Sequence, residues 1–265
     1  MDSHGHSRTL TEHWDGTRWK IVPSPNKGTG DNTLHGVAAV SASHVWAVGY
    51  TGPTEGEQRP LIEHWNGSSW SLFPPAGLGG IHRGLEDVAV ISPHHAVAVG
   101  HTPSNAHVER FDGSSWKTEE EAASQVGSAK LWAVSATAGG AQWAVGEFVF
   151  EPKPLVERKL GTAWDLKSPN NVGTTPNELK GVSALSATSA FAVGSYTTSG
   201  GTRRALADRF TNGQWTTFKP PNATQFDNQL ESVAAISASN VWAVGYAAKD
   251  AAGHSLEPLI EHFYC

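Results

Sequence analysis

One short phrase recurs along this chain with different polar side chains at its head. Its copies open with Leu34, Leu85, Leu131, Leu179 and Leu230 and run into segments rich in Val and Ala. The two positions after the leucine read His35-Gly36, Glu86-Asp87, Lys180-Gly181 and Glu231-Ser232; in the third copy Lys130 precedes Leu131-Trp132 in a shifted alignment. Carboxylates gathered beside an imidazole and an amine in a half-enclosed mouth have the coupled pKa values that general acid–base catalysis uses. If the chain is an enzyme, a hydrolase, lyase or cyclase, then Glu86, Asp87 or Glu231 supplies the acid or base and His35 or Lys180 its partner. A hydrated mouth lined by mutually paired charges is the competing expectation.

A second set follows a repeated Val-Gly step and comprises Tyr50, His101, Glu147, Ser195 and Tyr246, with His82 and Arg83 in the stretch GGIHRG extending it. Aromatic walls with a few placed polar groups are the usual form of a small-ligand pocket. The expected ligand-binding residues are therefore Tyr50, His82, Arg83, His101, Lys130, Trp132, Glu147 and Tyr246. Trp132, aligned with Ala38, is expected to line or plug the space that these residues surround.

The elements that must position these groups are repeats. Glu12, Glu63, Glu109, Glu157, Asp208 and Glu261 recur at separations of 51, 46, 48, 51 and 53, and a tryptophan lies seven residues after each of the first five. Val-Gly recurs at 48/49, 99/100, 145/146, 193/194 and 244/245 in the same register. LHGVAAVS (34–41) and VWAVGY (45–50) are short apolar runs around a polar turn, which predicts a hairpin; LIEHW (61–65) and SWSLF (69–73) around Asn66-Gly67 predict a second. Four strands per repeat, with no sustained 3.6-residue apolar pattern, exclude helical solenoids and match the blade of a propeller.

With V-A-A-V-S, V-W-A-V-G and L-I-E-H-W-N-G-S-S-W in one order, the chain resembles bacterial β-propeller repeat proteins of kelch or Asp-box style, over residues 9 to 263. The resemblance implies that the V-A-A-V-S phrase is the innermost strand and the E-H-W and S-S-W phrases the third and outer strands. The expected fold is all-β: a five-bladed β-propeller of four-stranded antiparallel blades, its ring closed by N- and C-terminal strands. Residues 1–8 are expected to be a tail or tag remnant and 9–265 a single domain. TLTEHW near the start and PLIEHF near the end both qualify as the third strand of the closing blade, so one copy is surplus.

The chain has 265 residues and a formal net charge of −6, without a basic cluster, so neither nucleic acid nor anionic membrane is an expected partner. No apolar run reaches membrane-span length, and the N-terminus lacks the apolar segment of a signal peptide. The compartment stays open. Cys265 is the single cysteine, and no His, Cys or Asp spacing within the repeats selects a metal, so no cofactor is expected. Registered tryptophans are expected to pack between blades. The basic residue that follows each recurring acid (His64, Arg110, Arg158, Arg209) is expected to take part in hydrogen bonds or ion pairs across blade boundaries. The leading functional expectation is a lectin-like binding module for a carbohydrate or small polar ligand, with a single-site enzyme and a protein-interaction scaffold as alternatives. A monomer is expected, with a strand-exchanged oligomer as the alternative.

Overall fold

The Val- and Ala-rich phrases pair as antiparallel hairpins, because the turns joining them are too short for the crossover that parallel pairing requires. The computed structural model describes residues 1–3, 5–52, 57–76, 84–103, 105–151, 153–172 and 176–264. It contains two compact units. The first, residues 1–103 and 107–119, holds β1 (Thr11–Trp14), β2 (Trp19–Val22), β3 (Asp31–Ser41), β4 (His44–Gly52), β5 (Arg59–Trp65), β6 (Trp70–Phe73), β7 (Gly84–Ser92), β8 (His95–His101), β9 (Ala106–Phe111) and β10 (Trp116–Glu119). These strands form a β1-β2 pair and two four-stranded sheets, β3 to β6 and β7 to β10, each in sequence order.

The second unit, residues 104–106 and 120–265, holds β11 (Ala129–Ala136), β12 (Gln142–Phe148), β13 (Pro154–Leu160), β14 (Ala163–Leu166), β15 (Asn177–Ser186), β16 (Ser189–Thr197), β17 (Arg203–Thr211), β18 (Gln214–Phe218), β19 (Asn228–Ser237), β20 (Asn240–Ala248) and β21 (Leu256–Phe263). Sheets β11 to β14 and β15 to β18 have four strands, while β19-β20-β21 has three. Antiparallel four-stranded sheets are thus as expected. Among the described residues β1 pairs with β2, and β21 is the strand that lies along β20.

In each four-stranded sheet the two middle strands carry most of the buried residues. Trp46, on β4, meets Phe111 at 4.8 Å and Trp116 at 5.2 Å between ring centroids, so the β3–β6 sheet stacks on the β7–β10 sheet through aromatic edges. Trp143, on β12, meets Phe210 and Trp215 in the same way at 4.8 and 6.0 Å. Each such indole removes about 200 Å² from water. Registered packing between sheets therefore holds for Trp46, Trp116, Trp143 and Trp215, and Trp164 is buried, but Trp19 and Trp242 are 64% and 44% exposed.

The turns use their side chains more than expected. Asn66 Oδ1 accepts the amide hydrogens of Ser68 and Ser69 at 2.9 and 3.0 Å, and positive φ falls on Gly67 alone, at +98°. Asp15 and Asp112 cap their turns in the same way, with a carboxylate oxygen in place of the amide oxygen. Only at Asn212-Gly213 do both residues of the pair take positive φ, 53° and 87°.

Four of the six recurring acids, Glu63, Glu109, Glu157 and Asp208, are buried, while Glu12 is exposed and Glu261 half-buried. Glu109 accepts the Ala76 amide at 2.9 Å and Glu157 the Ala123 amide at 2.5 Å, each donor lying in the segment that leaves the preceding outer strand. Asp208 instead accepts from Thr217 Oγ1 at 2.5 Å within its own sheet. Alternation sends the neighbouring basic residue to the opposite face. There Arg158 lies over Trp143 and Phe210 and donates to the Ala187 carbonyl at 3.1 Å, and Arg209 lies over Phe191.

Candidate functional site

A register slip near the start of every inner strand, distinct from a second slip near the end of four of them, places the candidate residues. Between Leu34 and Gly36 the pairing of β3 with β4 slips by one, so Leu34 faces Gly49, Gly36 faces Val48, and His35 has no partner. The same slip occurs at Leu85/Asp87, Leu131/Ala133, Leu179/Gly181 and Leu230/Ser232. The five residues thereby excluded from the ladder are His35, Glu86, Trp132, Lys180 and Glu231. A β-bulge bends its strand and re-aims the extra side chain.

The repeated Val-Gly step makes the bulge possible. A Cβ on Gly49, Gly100, Gly146, Gly194 or Gly245 would stand 1.8 to 2.0 Å from the carbonyl oxygen of the residue before the leading leucine. Only glycine lets the inner strand approach so closely. This register also corrects the alignment of Trp132 with Ala38: the indole occupies the place of His35, Glu86, Lys180 and Glu231. Asp87, one position beyond the bulge, is back in register opposite Val99, and its Oδ1 accepts the Val88 amide at 2.8 Å. It does not join Glu86.

In the first unit the bulge residues of adjacent sheets touch. His35 Nδ1 lies 2.7 Å from Glu86 Oε2, and His101 Nε2 lies 3.5 Å from Glu86 Oε1. Tyr50 meets the His35 ring edge-on, 5.3 Å between centroids. Burial alone would raise the Glu86 carboxyl, but the hydrogen bonds and positive charge of His101 and His35 outweigh it and hold the group at about 2. His101 Nδ1 lies 3.1 Å from the Thr102 carbonyl, so this ring satisfies both neighbours when both nitrogens carry hydrogen. The cluster is a fixed carboxylate flanked by two imidazoles. His82 and Arg83 lie outside the described residues.

In the second unit Lys180 is the hub. Its Nζ lies 3.0 Å from Glu178 Oε2 and 3.8 Å from the centroid of Trp132, the bulge residue of the preceding sheet. Lys130 approaches the same indole at 5.5 Å, and Ser195 Oγ donates to Glu178 Oε1 at 3.2 Å. Glu231 follows on β19, where burial pushes its carboxyl up against the opposing pull of Lys180. Arg203 binds Asp227 Oδ2 at 3.1 Å and Gln229 Oε1 at 2.8 Å, and Tyr246 donates to the same Gln229 oxygen at 3.2 Å. Burial raises the Tyr246 phenol. Glu147 lies opposite Lys130 on the neighbouring strand.

Glu178, Arg203, Asp227 and Gln229 were not among the expected residues. Period-two alternation was the available signal: the residue before the leading leucine, like the bulge residue after it, flanks a buried side chain. Among the described residues no group of three or more His, Cys, Asp or Glu is disposed to hold a metal, and no helix is long and apolar enough to cross a membrane.

By sequence, no protein-family description and no curated protein matches the chain. By structure it is similar to YCF48 bound to a D1 peptide, at 14% identity and TM-score 0.57, covering 91% of this chain and 70% of that one. It is also similar to a GH43 β-1,3-galactosidase, at 12% identity and TM-score 0.51, covering 87% and 57%. An ulvan lyase of polysaccharide lyase family PL25 aligns at 9% identity and TM-score 0.52, covering 87% and 65%. The fold is that of the β-propeller proteins.

Proposed function

We propose that this chain is a ligand-binding propeller that recognises a carbohydrate or another small polar ligand through the bulge residues of its inner strands. The carrying observation is that one residue per inner strand is released from the ladder at the same place, while its identity varies among His, Glu, Trp and Lys. A scaffold residue would repeat, as the Val-Gly step does. The charges of the second-unit cluster are largely matched, Lys180 with Glu178 and Arg203 with Asp227, and present donors and acceptors side by side. Such a surface favours a hydroxyl-rich ligand over a strongly charged one. Trp132 adds an indole of the kind that packs against sugar rings. Two structural relatives are named as carbohydrate-active enzymes, which supports the ligand class.

The test is a glycan array followed by calorimetry on its hits. Lys180→Ala and Trp132→Ala are each expected to weaken binding about tenfold or more, the loss typical of a buried polar or aromatic anchor. The stoichiometry should stay below the number of sheets, because the binding residues are not shared among them. Unchanged affinity in both variants would reject the site.

The first-unit cluster favours a second reading, a single-site hydrolase, lyase or cyclase. Glu86 stays ionised and orients His35, whose ring then serves as the base. With a glycoside or polysaccharide substrate, His35→Gln should abolish turnover and Glu86→Gln should shift the pH profile. Full turnover by His35→Gln would end that reading.

A further inference from the structure

Within the second unit, a polar groove adjoins the Lys180 cluster and shares Arg203 and Asp227 with it. The groove has a volume of about 460 Å³, within the range of small-ligand sites. It is lined by Gly200 and Arg203 from the turn into β17, by Phe226 and Asp227 from the segment entering β19, and by Ala251 from the loop between β20 and β21. Gly200 and Ala251 are exposed, and Phe226 and Asp227 are half-buried.

Hydrogen bonds brace all three segments. The Thr198 amide donates to the Thr202 carbonyl at 2.9 Å. The Arg204 guanidinium donates to the carbonyls of Thr224, Gln225 and Phe226, each at 3.0 Å. The Asp250 carboxylate accepts the amides of Ala252 and Ser255 at 2.9 and 3.2 Å. A groove fixed in advance loses little entropy when it is filled. Arg203 connects it to the cluster: Nε donates to Asp227 and Nη1 to Gln229, which is 3% exposed and in turn favours the charged form of Glu231. Asp227, Gln229 and Glu231 occupy alternate positions where the chain enters β19. One line of polar groups thus runs from the groove to the bulge, over roughly 13 Å at the usual rise of a strand.

We propose that this groove is a second subsite of the Lys180 site, and that the ligand is a linear, neutral oligosaccharide lying along the start of β19 from the bulge into the groove. The inference rests on the saccharide reading of the Lys180 cluster. A single sugar ring reaches one end of the polar line only, whereas a chain of rings meets the whole of it. Lys180 is matched by Glu178 and Arg203 by Asp227, and Asp250 adds a further carboxylate beside the groove, so a polyanion is disfavoured. The alternating donors and acceptors suit hydroxyl groups. Gly200 and Ala251 leave width for a ring, and Phe226 supplies an apolar face of the kind that packs against one.

Calorimetry with cello-oligosaccharides and β-1,3-linked galacto-oligosaccharides, from monosaccharide to hexasaccharide, tests this. In the unmodified chain affinity for one series should rise about tenfold or more with length and then level off. Gly200→Trp and Ala251→Trp each fill the groove from an exposed position, and a Cβ on Gly200 would meet nothing closer than Thr198 Oγ1 at 3.8 Å. Each variant should lose the gain with length and keep the monosaccharide affinity, with unchanged far-UV circular dichroism. Affinity independent of length, with Trp132→Ala still weakening binding, overturns the second subsite and leaves the reading of the Lys180 cluster standing. So does a gain with length that both groove variants retain. If no member of either series binds, the inference falls together with that reading.

Discussion

At the scale of single residues, what matters is whether a side chain belongs to the hydrogen-bonded ladder. Lys180 does not, but its removal strips the half-buried Glu178 carboxylate of its cation, so Lys180→Ala should cost about 1 kcal/mol in urea stability as well as ligand affinity. Gly194 belongs to the structure that creates the bulge, and its missing Cβ would meet the Glu178 carbonyl oxygen at 2.0 Å. Gly194→Ala is expected to cost about 3 kcal/mol, the upper part of the range for overpacking, read from the urea midpoint. The candidate residues were legible in the sequence as variation at a fixed place. The bulge itself was not, because counting residues from an aligned leucine cannot show which of them the partner strand skips. Trp132 takes its true place only through the skipped residue, Glu178 and Gln229 precede their leucines rather than follow them, and Arg203 stands on β17, away from the inner strands.

At the scale of elements, hairpins and turns were legible because they depend on local chemistry: alternation, polar turn residues and glycine. Which copy of the phrase pairs with β20 was not, because β1 and β21 spell it alike; among the described residues β21 takes that place. Sheet stacking rests on a few large aromatic side chains. Trp143→Ala should destabilise the chain by about 3–5 kcal/mol, as a fully buried large-to-small change does. The drop in the urea midpoint measures this.

At the scale of the whole molecule, the buried acids set the response to pH. Burial pushes Glu63 and Asp208 up to about 7 and Glu157 up to about 8. From near the ordinary carboxyl values up to those figures, the native chain holds more protons than the unfolded one, so stability falls as pH rises. The contribution is complete below the unfolded values and is lost by about pH 8. Urea midpoints should therefore drop between pH 5 and pH 8.5, and Glu157→Gln, which keeps an acceptor for Ala123 without a charge to bury, should flatten part of that drop. Glu86 acts in the opposite sense, since its depressed carboxyl adds stability above the ordinary value that is lost as pH falls toward 2. The repeated bulge has a consequence on a longer timescale. Because each of its five residues is exempt from strand pairing, mutation there leaves the ladder intact, while mutation of the glycine opposite does not. The chain can thus drift in what it contacts, one blade at a time, without renegotiating its core, and a library randomised at His35, Glu86, Trp132, Lys180 and Glu231 should contain mostly folded members.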